Sequence, residues 1–132
     1  MEQSNQPMEG KPKKISVNER SVGFQYAFNG LKIAIKEEHN ARIHLLIACC
    51  VLIAGAIFRI STGEWIAVVF CIGLVFALEL INSAIENIAD FITIERNETI
   101  KKVKDLSAGA VLAAAIASAI IGLIIFLPKF FL

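Results

Sequence analysis

Three long apolar segments, separated by charged stretches, constrain this 132-residue sequence more than any other feature. Charged residues crowd residues 1–42 and 86–105, and Glu79 is the one charged residue inside the apolar segments. Because a bilayer offers no water to ionised side chains or unpaired backbone groups, such segments are typical of transmembrane helices. We therefore predict an all-α integral membrane protein with three transmembrane helices, at about residues 43–60, 64–90 and 104–127.

The region before the first apolar segment divides into two predicted parts. Residues 1–18 are polar and lack the apolar core of a signal peptide, so we expect a disordered cytoplasmic tail followed by one membrane domain, residues 19–132. Within residues 20–42, Phe24 and Phe28 begin an apolar stripe at three- and four-residue steps, which predicts an amphipathic helix on the membrane surface. A core-facing helix of a soluble domain is the alternative, and the apolar segments that follow favour the membrane.

The connectors between the spans predict an orientation and two helix ends. The N-terminal region and residues 93–105 are both rich in lysine and arginine, and positive charge marks the cytoplasmic side. We therefore expect the N-terminus inside and the C-terminus outside, with the short connector 59–64 facing outward. Ser61 and Glu64 predict a capping box at the start of the second span. Pro128 is predicted to end the third.

Several functional classes find no support in the composition. The three cysteines lie inside apolar segments without CxxC spacing, and His39 and His44 show no metal-ligand spacing, so neither a disulfide nor a His/Cys metal site is predicted. The net charge of +1 gives no field for nucleic acid. Phosphate-loop, dinucleotide and protein-kinase motifs are absent from the sequence, so any nucleotide would bind to an unfamiliar arrangement.

Small residues recur at every fourth position in the third predicted span. They form two stripes, which are Gly109, Ala113 and Ala117, and Ala110, Ala114 and Ser118. Small faces let helices approach closely in lipid. We therefore expect the chain to oligomerise, with a stoichiometry that this pattern does not give.

Polar side chains follow one face of the second predicted span. At about 100° per residue, five of them fall on one side of a helix. They are Glu79, Asn82, Ser83, Glu86 and Asp90. A charge near mid-bilayer costs at least about 2.5–3.5 kcal/mol, which favours a site where a lipid meets a water-soluble ligand. The structural alternative is an interhelical hydrogen-bond seam with a protonated Glu79.

The carboxylates of this region suit particular chemical roles. Glu79, deprived of water, suits a general base acting on a lipid hydroxyl. Glu86, about 10 Å nearer the cytoplasm, suits Mg²⁺, which prefers one or two carboxylates plus phosphate oxygens. Glu38 continues the apolar stripe of the surface helix and offers a second ligand, unless it forms a local pair with Arg42. Lys104 and its neighbouring lysines would hold phosphates, or serve only as topology charges.

Three segments of the chain match a known pattern. The run from Glu79 to Asp90 fits E-x-x-N-[ST]-A-I-E-x-x-x-D, and the run from Lys104 onward is similar to K-D-x-x-A-x-A-V. Residues 27–38 look like an N-terminal surface helix. In these features the chain resembles the prokaryotic diacylglycerol kinase family over roughly residues 20–128.

The resemblance implies an ATP-dependent lipid kinase in the bacterial cytoplasmic membrane. The expected assembly is a homotrimer with active sites shared between neighbouring subunits at the cytoplasmic interface. By motif position, Glu79 matches the general base and Glu38 and Glu86 the magnesium ligands. The positions that match ATP contacts are Tyr26, Glu38, Glu86, Glu95, Asn97, Lys104 and Asp105. Asn82 and Asp90 match supporting polar positions, and Arg20 is a candidate contact for the substrate, beside Glu79.

The lipid substrate is left open between two branches of that family. One branch phosphorylates diacylglycerol and the other undecaprenol, and residues 71–79 and 120–129 look more like the undecaprenol branch. Two functions of other classes remain as alternatives. An ion pathway would use the polar face as a pore lining, and a structural subunit would use it only to bind a partner.

Overall fold

Four helices make up the described part of the chain. The computed structural model describes the backbone from Val17 to Leu132 and the side chains from residue 21 onward. The helices are α1 (Val17–Glu37), α2 (His39–Phe58), α3 (Thr62–Ile92) and α4 (Glu98–Phe130). No strand occurs between residues 17 and 132, which confirms the all-α prediction. Residues 1–16 of the predicted tail lie outside the described residues.

Helices α2, α3 and α4 are each long and apolar enough to cross a membrane. Their 20, 31 and 33 residues correspond to about 30, 46 and 50 Å, against a hydrocarbon core of about 30 Å. This confirms the prediction of three spanning helices. Because α3 and α4 exceed the hydrocarbon thickness by several turns, the end of α3 and the start of α4 can project beyond it, and these ends carry most of the charges.

The chain breaks its helix at Glu38, inside the segment 20–42 that the sequence predicts as one surface helix. Glu38 is extended, with φ −95° and ψ 118°, and its side chain makes no capping hydrogen bond to α2. Its backbone N–H still donates to the Ala34 carbonyl, at 3.0 Å. The break places Glu38 at the junction of α1 and α2, where its carboxylate caps neither helix among the described residues.

The turn between α2 and α3 is held by local hydrogen bonds. Arg59 adopts the left-handed conformation, with φ 51°, and its N–H caps the end of α2. The Ser61 N–H donates to the Glu64 carboxylate at 2.6 Å, and the Glu64 N–H donates to Ser61 Oγ at 3.3 Å. The predicted capping box is therefore confirmed.

The buried apolar core lies beside this turn. Ile60, Val68 and Ile125 are buried there, and Trp65 and Phe58 pack against them. The last turn of α4 joins this core through side chains on either side of Pro128. The Phe58 ring contacts the rings of Phe126 and Phe130, and Lys129 pairs with Glu64 at 3.0 Å.

Pro128 lies inside α4, so the prediction that it ends the helix is wrong. A proline lacks the N–H that would bond one turn back, yet this loss is confined to the last turn here. The contacts of Phe130 and Lys129 hold that turn in place, and the helix continues to Phe130.

The remaining helix packing is uneven. The most extensive contact joins α3 to α4, α2 lies against α3, and α1 contacts α2 and α3 less extensively. On α4, Val111 and Ala114 are buried, whereas the stripe Gly109, Ala113 and Ala117 is exposed. Phe24 and Phe28 of α1 are about 70% exposed in the single chain.

Candidate active site

The polar face of α3 passes from buried to exposed along the helix. Glu79, Asn82 and Ser83 are only 3%, 5% and 8% exposed. Glu86 is half-buried, and Asp90, one turn further, is exposed. The face thus leads from the interior of the bundle to the end of α3 that carries the charged connector.

Glu79 is buried without a hydrogen-bond partner among the described residues. No side-chain or backbone donor within residues 21–132 reaches its carboxylate. Ser83 Oγ, one turn further along α3, is likewise buried and unpartnered within that part of the chain. Ser83 is therefore a buried and unsatisfied hydroxyl, and Glu79, only 3% exposed, lies one turn away without a hydrogen bond in that part of the chain. Unsatisfied polar groups are uncommon at buried positions and often mark a functional site.

Glu79 lies within electrostatic range of two further carboxylates. Glu38 and Glu86 both lie close enough to Glu79 for their charges to act on it, and so does His44 of α2. Glu38 comes from the α1–α2 junction, where the extended backbone separates it from either helix. The three glutamates that the sequence singled out thus belong to one region of a single chain, with Glu38 and Glu86 each in electrostatic range of Glu79.

The Glu38 carboxylate forms no ion pair with Arg42 among the described residues, so the alternative of a local pair finds no support. These two residues are joined instead through their backbones, where the Arg42 nitrogen donates to the Glu38 carbonyl oxygen at 3.4 Å. Glu38 is half-buried. Its charge thus remains available to a ligand.

Glu86 is oriented by a short hydrogen-bond chain that reaches α4. Asn82 Nδ2 donates to Glu86 Oε1 at 3.2 Å, and Ser107 Oγ donates to Asn82 Oδ1 at 2.7 Å. Sequence reasoning missed Ser107. Its position three residues after Lys104 could have indicated it, because residues three apart lie on the same face of a helix. Sequence reasoning found no metal-ligand spacing at His44 and gave it no part in the site, whereas the structure places it in electrostatic range of Glu79.

Lys104 lies at the exposed end of the polar face and is paired. Its Nζ donates to Asp90 Oδ1 at 2.9 Å, and Glu86 also lies within reach of its charge. Asp105, the neighbouring residue, instead pairs with Lys101 on its own helix. Lys104 and Asp105, the two adjacent residues of the K-D motif, therefore have different partners. Of these two, only Lys104 is bonded to the polar face of α3.

The other predicted ATP contacts lie outside this cluster. Tyr26 is 73% exposed and joins the cluster through no hydrogen bond or ion pair within residues 21–132. Glu95 and Asn97 lie in the α3–α4 connector, where Asn97 caps α4 by accepting from the N–H groups of Thr99 and Ile100. Arg20 belongs to α1, but its side chain lies outside the described residues.

An apolar cleft of about 600 Å³ runs between α2, α3 and α4. Its lining includes His44 and, on α3, Val75 and Phe76, which lie within about one turn of Glu79. Small residues of α4, among them Ala115 and Gly122, widen it. The cleft offers hydrocarbon-lined space about one helical turn from Glu79, which is not itself part of the lining.

The cluster fits a magnesium ion better than a metal held by protein alone. No group of three or more His, Cys, Asp or Glu side chains with the geometry of a metal site occurs among the described residues. Glu38 and Glu86 are two oxygen donors, and Mg²⁺ is usually bound through one or two carboxylates plus phosphate oxygens and water. The charges of Glu38 and Glu86 both repel a negative charge on Glu79, an effect that His44 opposes and that a bound cation would relieve further.

Comparisons with known proteins agree with this geometry. A family model described as prokaryotic diacylglycerol kinase matches residues 25–126, which include α2, α3 and most of α4. The undecaprenol kinase of Bacillus subtilis (strain 168) is 40% identical over 92% of this chain and 99% of that protein. The diacylglycerol kinases of Synechocystis sp. and Haemophilus influenzae are 34% and 38% identical, over 81% and 76% of this chain and 62% and 82% of those proteins. Glu38, Glu79 and Glu86 all lie inside the matched region. The chain belongs to the prokaryotic diacylglycerol kinase family, a family of lipid kinases.

Proposed function

We propose that this protein transfers the γ-phosphoryl group of ATP to the hydroxyl of a membrane lipid, with undecaprenol as the preferred acceptor. The observation that carries the proposal is Glu79, a buried carboxylate without a hydrogen-bond partner within residues 21–132, in electrostatic range of Glu38 and Glu86. A purely structural seam would satisfy its own carboxylate, because an unpartnered buried charge is costly. An incoming hydroxyl would supply the missing donor.

In the proposed reaction the lipid hydroxyl donates a hydrogen bond to Glu79. Its oxygen forms a bond to the γ-phosphorus as the bond between that phosphorus and the leaving oxygen of ADP breaks. The hydroxyl proton passes to the Glu79 carboxylate. Glu38 and Glu86 would hold Mg²⁺, which, when bound, neutralises charge on the phosphates. The protein thereby contributes positioning and electrostatics, as expected for phosphoryl transfer.

Lys104 is proposed to bind the phosphates by exchanging partners. It is paired with Asp90, whose side chain is 68% exposed, so phosphate oxygens can replace that carboxylate at little cost. The proposed contacts with the rest of ATP are Tyr26, Glu95, Asn97 and Asp105. Asn82 and Asp90 keep supporting roles, and Arg20 stays a proposed contact for the lipid substrate.

The proposed setting is the bacterial cytoplasmic membrane. We place the N-terminus and the α3–α4 connector in the cytoplasm, where ATP is present, and the C-terminus outside, from the distribution of basic residues. Helix α1 would lie on the membrane surface, with its exposed Phe24 and Phe28 in the lipid. The functional unit would be a homotrimer that completes its active sites between subunits.

The choice of undecaprenol rests on the extent of similarity. The undecaprenol kinase relative aligns with nearly all of this chain and of itself, whereas the diacylglycerol kinase relatives align less completely. The apolar cleft, which begins about one helical turn from Glu79, would accommodate hydrocarbon of either lipid. Diacylglycerol is therefore the second candidate, supported by the relatives that carry that activity in their names.

Purified protein in mixed micelles, given radiolabelled ATP and either undecaprenol or diacylglycerol, tests this proposal. We expect faster phosphorylation of undecaprenol, measured as kcat/KM for each lipid. Preference for diacylglycerol would overturn the substrate while keeping the reaction. If neither lipid is phosphorylated, kinase activity is refuted for these substrates, and ion flux in liposomes without ATP consumption would then support the pathway alternative.

A further inference from the structure

The hydrogen-bond chain from α4 to Glu86 has a fixed polarity. An ionised carboxylate can only accept hydrogen bonds, so Asn82 must present its amide nitrogen to Glu86 Oε1. The amide oxygen of Asn82 then faces Ser107 Oγ, which must donate to it. The opposite orientation of the amide would place two oxygens against each other beside Glu86.

Ser107 supplies the only donor to Asn82 Oδ1 among the described residues. Its hydroxyl also lies 2.9 Å from the Lys104 carbonyl of its own helix. The Lys104 carbonyl already accepts a hydrogen bond from the helical N–H four residues further along α4. Asn82 is only 5% exposed, and its Oδ1 has no second donor in the described part of the chain. The bond to Asn82 is therefore the one whose loss leaves a buried acceptor unsatisfied.

We propose that Ser107 is a positioning residue for the magnesium site. By fixing the orientation of the Asn82 amide, it holds Glu86 Oε1 and leaves the second oxygen of that carboxylate free for the cation. The inference rests on the proposed function, because it takes Glu86 as a ligand. Groups that orient a ligand in this way typically change metal affinity by about 10- to 100-fold when removed.

Binding of Mn²⁺ to the purified full chain tests the inference without reference to turnover. The probe is Mn²⁺ with the non-hydrolysable ATP analogue β,γ-methylene-ATP, followed by the loss of the free Mn²⁺ signal in electron paramagnetic resonance. We expect S107A to weaken Mn²⁺ binding by about tenfold and S107T, which keeps the hydroxyl, to bind nearly as the natural chain does. E86Q should weaken binding more than S107A.

Two further comparisons separate positioning from general loss of stability. S61A removes a hydrogen-bonding serine from the opposite end of the bundle and should leave Mn²⁺ binding unchanged. S107T and S107V have nearly the same shape and differ in the hydroxyl, so S107V alone should weaken binding if S107A does not fold. In an N82A background, S107A should add little, because Ser107 acts through Asn82.

The outcomes distinguish this inference from the proposed function. Natural Mn²⁺ affinity in S107A and S107V, with weakened binding in E86Q, would overturn the role of Ser107 and leave the magnesium assignment intact. Natural affinity in E86Q would overturn both. Equal weakening by S107A with and without Asn82 would show that Ser107 acts by another route, which also overturns the inference.

Discussion

Glu79 is a buried carboxylate that finds no hydrogen-bond partner in the described part of the chain, and these properties rarely coexist in a side chain that only stabilises a fold. A carboxylate at membrane depth costs at least about 2.5–3.5 kcal/mol. The cost is tolerable where the group is used, because a desolvated carboxylate accepts a proton more readily than a hydrated one. Chemistry explains this arrangement better than packing does.

Replacing Glu79 by glutamine tests its role as the base. The amide has almost the same shape but cannot take the proton of a lipid hydroxyl, so we expect kcat to fall by about 10²- to 10⁴-fold. The retained fold is checked by size-exclusion elution and circular dichroism. The matched control is Glu98→Gln, the same change at an exposed glutamate of α4, which should keep normal turnover. Near-normal turnover in Glu79→Gln would remove the residue from the mechanism.

The residues of the site differ in how far the sequence predicts them. Glu79, Glu86 and Asn82 follow from helical periodicity, because they lie on one element and their spacing fixes their common face. Ser107 and His44 could not be assigned in this way. Their roles depend on how α4 and α2 pack against α3, and periodicity within one helix gives no information on the rotation of its neighbour.

The ends of the helices were likewise predictable where local contacts determine them and unpredictable where tertiary contacts do. The capping box of α3 was predictable because Ser61 and Glu64 satisfy each other's backbone groups within four residues. The break at Glu38 and the continuation of α4 through Pro128 were not. At Pro128, the contacts of Phe130 with Phe58 and of Lys129 with Glu64 outweigh a local signal to stop.

Close packing of α2 against the start of α3 depends on the small size of Gly55. A β-carbon at this position would lie 2.8 Å from Trp65 Cη2 and 3.1 Å from Ile60 Cδ1, so the rigid indole ring would have to shift. We expect Gly55→Ala to destabilise the protein by about 1–3 kcal/mol, measured by detergent-induced unfolding in mixed micelles. Gly63→Ala is the control, because a β-carbon there meets nothing within 4 Å. Equal stability of the two variants would show that the Gly55 contact does not constrain the turn.

At the scale of the whole molecule, the single chain leaves much of its apolar surface uncovered. Lipid can cover most of it, but the stripe of Gly109, Ala113 and Ala117 is different. A β-carbon on Gly109 would meet no atom within 4 Å, so this face of α4 is open to another helix. Its parallel stripe has Ala114 buried, so the fold uses one small-residue face internally and leaves the other exposed. The sequence predicted both stripes but not which of them the chain itself would cover.

The exposed stripe supports the proposed homotrimer, and Ala113→Leu tests it. Helices in lipid associate where small residues let their backbones approach, and a leucine side chain would hold them apart. For the natural protein, native mass spectrometry should give three times the 14.4 kDa of the chain. Ala113→Leu should shift the population toward monomers and lower kinase activity, because the proposed active sites are completed between subunits. Ala56→Leu makes the same change at an exposed alanine of α2 and should keep both the trimer and the activity. If the trimer persists in Ala113→Leu, the interface between subunits lies on another face of the protein. If the variant is monomeric and still active, the active sites are not shared between subunits.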